Sequence, residues 1–164
     1  MREDGGFNMA TRGLIGRMTR DGFEAVYHHW DSYPSGLGAT LYQLYHGYFQ
    51  QNLPVMLRVL IDEHRAGWSN ITGTDFSKVP GFSEEEDRPG CYCHGDRDEP
   101  ARVLITMQGD TLGAQYAYAL DESRHTMHVF AWQATGEVWE EMAVVDLDGP
   151  EPEWERLDER GVSP

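Results

Sequence analysis

Residues 25–38 read AVYHHWDSYPSGLG and crowd two histidines, an indole, a carboxylate and two phenols into one short stretch. Near neutral pH His29 can donate or accept a proton, Asp31 can orient it, and Trp30 and Tyr33 offer flat faces with polar tips. Those types suit a rim on which a small polar ligand or a partner side chain stacks against Trp30 or Tyr33. His29, Asp31 and Arg12, the last from a neighbouring strand, would read its hydrogen-bond pattern. His28 and His29 point to opposite faces of an extended strand and are no pair. Gly36 and Gly38 could leave backbone N–H groups free for an anion, although the spacing of a phosphate loop is missing. The same residues have a structural use: Asp31 or Ser35 caps a helix, Pro34 sets a bend, and the rings seal a corner.

A second set is C-Y-C-H at 91–94. Cys91, Cys93 and His94 are three soft ligands that could hold zinc, with His29, Asp31 or another histidine as the fourth. One intervening residue is shorter than the usual two to four. On a strand, moreover, Cys91 and Cys93 share a face while His94 turns away. A Cys–His nucleophile is the related alternative, but Asp96, Asp98 and Glu99 would hold a thiol pKa up. The chain contains no G-x-S-x-G elbow, H-E-x-x-H helix or dinucleotide fingerprint. With just two cysteines so close together, reduced thiols and a cytoplasmic location are expected, and no cofactor beyond a possible zinc.

The elements that must position these groups follow from periodicity. Residues 11–30 form a hairpin turning at Arg20-Asp21-Gly22, and about 37–50 carry the three-and-four spacing of a helix. Asn52 caps a second helix that holds Pro54 in its first turn and ends near Gly67. From there to Gly90 the chain reads as loop. Strands are then expected at CYCHG, RVLITMQ, AQYAYAL, TMHVFAWQ and EVWEEMAVVDL, joined by hairpin-sized links into an antiparallel meander. The fold class is α+β: one domain over residues 9–148, with a hairpin and a meander packed by two helices. Residues 1–8 read as a leader, and 149–164 as an acidic tail in which Trp154 and Leu157 either dock as one amphipathic turn or stay free.

The block T-R-G-L-I-G followed by Y-H-H-W-D-S-Y-P-S-G-L-G-A-T-L resembles a family of small uncharacterised bacterial and phage proteins. Its members carry T-R-S-x-I-G and then Y-x-H-W-D-G-Y-P-x-x-x-G-x-x-L. The matching positions are Thr11, Arg12, Ile15, Gly16, Tyr27, His29, Trp30, Asp31, Tyr33, Pro34, Gly38 and Leu41. Gly13 and Ser32 depart from it. HGDRDE at 94–99 resembles a later family stretch more faintly. The resemblance implies no activity; it favours His29 over His28.

The chain has 28 acidic and 13 basic residues, a formal charge of −15 over 164 residues. Such a field repels phosphate, so direct nucleic-acid binding and attachment to anionic membranes are not expected. Lys78 is the one lysine, an arginine-for-lysine usage that suits a GC-rich genome. Together these features suit a non-enzymatic small-ligand or protein-binding domain of a kind that a phage or mobile element carries. Two alternatives stay open. One is a hydrolase or transferase using His29 and Asp31 with the Cys91–His94 segment. The other is an acidic nucleic-acid mimic that occupies a basic partner.

Overall fold

The computed structural model describes residues 10–81, 87–94, 107 and 111–161. Strands β1 (Gly13–Thr19) and β2 (Gly22–His28) form the expected hairpin, pairing from Gly13–His28 to Thr19–Gly22. β5 (Tyr116–Asp121), β6 (Thr126–Gln133) and β7 (Val138–Asp146) form the meander. Two short strands, β3 (Trp68–Asn70) and β4 (Gly90–Cys91), complete a sheet ordered β4-β3-β2-β1-β5-β6-β7.

The sheet is therefore mixed. β1 and β5 pair in parallel, as do β2 and β3, whereas a wholly antiparallel sheet is what the hairpins imply. For β2 and β3 the physical reason is the helical segment between them, which returns the chain in the direction it left. Tertiary pairing also recruits Trp68–Asn70, three residues inside a stretch whose sequence reads as loop. Of CYCHG only Cys91 is strand, closing β4 beside β3, and residues 92–94 turn rather than join the meander. The strand expected over residues 102–108 lies, Met107 apart, outside the described residues.

Helices cover one face. A wide π-type turn, Pro34–Gly38, leads into α1 (Ala39–His46), and α2 (Leu53–Leu57) continues as a second such turn, Arg58–Asp62. Both helical stretches stop short of the expected ends. The first ends at its C-cap Gly47, whose N–H bonds Gln43 O at 2.8 Å. The chain then turns through Gln50 and Gln51 at φ +48° and +64°, and the Asn52 side chain accepts from Val55 N at 3.2 Å to start the second. Ile15, Leu37, Leu41, Leu57, Trp68, Tyr118 and Val129 belong to the core between sheet and helices; Leu14, Phe23, Ala25, Ala117 and Phe130 form a second cluster on the other face.

A third helix, α3 (Trp154–Gly161), lies where the sequence leaves docking open. Trp154 and Leu157 are buried in the main core. Tyr42 OH donates to Gly149 O at 2.7 Å, and Tyr45 OH to Asp148 Oδ1 at 2.7 Å, so α1 grips the connection into α3. Neither Asp31 nor Ser35 caps the first helical segment with its side chain. Asp158 of α3 does so from across the fold: its carboxylate accepts from Ser35 N at 2.9 Å and Ser35 Oγ at 2.6 Å. Asp158→Ala is expected to cost about 1–2 kcal/mol, as for other lost helix caps. In urea unfolding Ser35→Ala should add little once Asp158 is gone; fully additive losses would show that the two do not act as one cap.

Candidate metal centre and the neighbouring rim

The sequence-expected rim residues divide into pairs. The His29 and Trp30 amides donate to Trp68 O at 3.1 Å and Ser69 O at 3.2 Å, so β3 carries both. The His29 ring meets Trp30 edge-on at 4.7 Å, its Nδ1 lies 2.7 Å from Tyr27 OH, and the Trp30 indole is 47% exposed. Asp31 is exposed at φ +54°, and it accepts from Tyr33 OH at 3.4 Å. Its backbone oxygen takes Leu37 N at 3.0 Å, which makes part of this stretch structural. The Arg12 guanidinium lies against Gly113, where an added Cβ would be 2.9 Å from Nη1.

His28 is a core histidine. It is fully buried, its Nε2 accepts from Ile71 N at 3.0 Å, and its Nδ1 therefore donates to Ser32 Oγ at 2.9 Å. Burial, reinforced by the charge of His29, pushes its pKa down to about 3, so the ring is neutral.

The cysteine segment gathers a more concentrated set. β4 ends at Cys91, and residues 92–94 turn. That turn overrides the alternation that would send His94 away and brings its Nδ1 to 3.4 Å from Cys91 Sγ. The fourth member is His64, just beyond the Arg58–Asp62 turn. Because Trp68 pairs with Cys91, the chain four residues earlier lies beside the thiols. His64 Nδ1 is 3.0 Å from Cys91 Sγ and 3.6 Å from Cys93 Sγ; the two sulfurs are 2.8 Å apart. One ligand atom from each of the four residues falls within 4.8 Å of all the others. His64 and Cys91 are buried, Cys93 half-buried and His94 exposed.

These donors fit a tetrahedral ion. Bonds of about 2.3 Å to sulfur and 2.0–2.1 Å to nitrogen give edges of roughly 3.3–3.8 Å, so seating one asks Cys91 Sγ to move by roughly 0.5–1 Å. Cys93 N already donates to Cys91 Sγ at 3.2 Å, a contact that favours the thiolate. Without an ion, burial and the Cys93 thiol push Cys91 up to about 12, and burial with the neighbouring His94 pushes His64 down to about 4. Neutral thiol beside neutral imidazole is the reverse of an activated Cys–His nucleophile. The four donors are thus placed where they could hold a metal ion, and His29, whose ring sits with Tyr27 and Trp30, is not among them.

His64 also borders a cavity of about 260 Å³ walled by Tyr48, Glu63, Phe76 and Lys78. The Lys78 ammonium is paired with Asp87. No helix among the described residues is long and apolar enough to cross a membrane. No protein-family profile matches the chain, and no curated protein or solved structure matches it.

Proposed function

We propose that this chain is a zinc-stapled binding domain, with Zn²⁺ held by His64, Cys91, Cys93 and His94 and the His29–Trp30 rim as its contact surface. One observation carries the metal: four soft donors from separate parts of the chain converge within 4.8 Å. A mixed thiolate–imidazole set selects zinc over calcium or magnesium, which take oxygen. Four protein ligands close the coordination shell, and a closed shell is structural where a catalytic zinc keeps a position open. The ion would tie the end of the second helical segment to β4 and leave the rim to a small polar ligand or a partner side chain. An acidic surface with an exposed indole supports that use more than it supports chemistry.

Elemental analysis of the purified protein tests the metal. One zinc per chain is expected, retained through gel filtration, and lost in Cys91→Ser and in His64→Gln. Wild-type protein that neither carries zinc nor takes it up when reduced would end the proposal.

A further inference from the structure

We infer that the metal centre positions the His29–Trp30 rim from the opposite face of the sheet, acting through Tyr92. This rests on the zinc reading above. Tyr92 stands between the two cysteine ligands, and its own N–H extends the β3–β4 ladder by bonding Gly67 O at 3.0 Å. Cys91 belongs to the core under the helices. The Tyr92 ring goes the other way, stacking on Tyr27 with centroids 6.2 Å apart and planes inclined by 27°. Tyr27 packs against the second apolar cluster, and its hydroxyl holds His29 Nδ1 at 2.7 Å. The His29 ring in turn abuts Trp30. An unbroken row of aromatic contacts therefore runs from the metal turn to the exposed indole.

The warrant is geometric. Two backbone N–H groups already hold this three-residue turn, Tyr92 N bonding Gly67 O at 3.0 Å and Cys93 N bonding Cys91 Sγ at 3.2 Å, and the second of these bonds runs through a ligand atom. Chelation through the side chains on either side of Tyr92 fixes its Cα and the direction of its Cα–Cβ bond. The phenol ring is then held against Tyr27, and the rim is ordered before any ligand arrives. Less ordering is left for the ligand to drive, which is how preorganisation raises affinity. Tyr92 is a positioning residue: it touches neither ion nor ligand.

Metal-free protein titrated with zinc, observed by NMR at the Trp30 indole N–H and the His29 ring C–H, tests this. Both signals should move by more than a line width with the first equivalent in wild type. In Tyr92→Leu carrying one zinc they should stay in place, and Tyr92→Phe, which keeps the ring, should restore the movement. Equal movement in zinc-loaded Tyr92→Leu would overturn the inference, as would wild-type protein that binds zinc with both signals still. Zinc uptake is read in the same titration. A wild type that takes up none removes the zinc reading and this inference together, whereas uptake with a silent rim removes this inference alone. Should Tyr92→Leu fail to fold, Tyr27→Leu cuts the same row without touching the turn, and the same two outcomes decide.

Discussion

Stripping the proposed zinc with a chelator is expected to lower the melting temperature by about 8–16 °C. An ion present at a thousand times its Kd stabilises a fold by about 4.1 kcal/mol. For a domain of roughly 150–250 residues each kcal/mol shifts melting by about 2–4 °C, and this chain has 164. The metal-free protein should nevertheless remain folded. Leu37, Leu41, Leu57, Tyr118 and Val129 are sealed in a large core of which Cys91 is one member among many, unlike a zinc finger, which has no such core. Calorimetry with and without chelator measures the difference. Cys91→Ser should melt low in both conditions, and a wild-type shift under about 2 °C would mean that the centre does not hold the fold.

Acid should weaken the metal-free protein well before its carboxylates titrate. His28 is held at about 3 in the fold and returns to its ordinary value near 6.5 on unfolding. Above 6.5 both states are neutral at this site, and the stability is fully present. As pH falls below 6.5 the unfolded chain takes a proton that the folded ring refuses, at about 1.4 kcal/mol per pH unit. Between about pH 6.5 and 4.5 His28 alone should therefore remove roughly 2–3 kcal/mol. His64, also depressed, acts in the same direction. Asp75, Asp87 and Asp121 are lowered from 3.8, so their losses fall mainly below that window. Urea midpoints across the window, in enough salt to screen the charge of −15, read the slope directly. A flat midpoint would mean that a proton reaches the ring without unfolding.

Local signals were strong where the local chain decides the outcome. The β1–β2 hairpin, the Asn52 cap and the β5–β7 strands could be read from period and turn residues, because each is closed by contacts a few residues away. β3 could not, since three residues of strand owe their state to β2 and β4 on either side. The candidate metal set was half legible. Two cysteines and a histidine in four residues advertise a ligand group, but His64 comes 27 residues before Cys91 with no motif to link them. The turn after Cys91 reverses the facing that an extended strand would give His94, and the spacing rule could not anticipate it. At the rim, the block around His29 does mark a real juncture of β2, β3 and the first helical segment. Arg12 shows the limit: adjacent strands imply proximity, yet its guanidinium is directed to the Gly113 loop.

The bond from Ser35 to Asp158 spans 123 positions of the chain. During synthesis the start of the first helical segment must wait for the ribosome to deliver almost everything else before its cap arrives, while the β1–β2 hairpin can close as soon as it emerges. Nascent chains stalled before Trp154 should still be cleaved readily near residue 35, and should acquire protection once the last helix clears the exit tunnel. Capping of the first helical segment is thus timed by the arrival of α3.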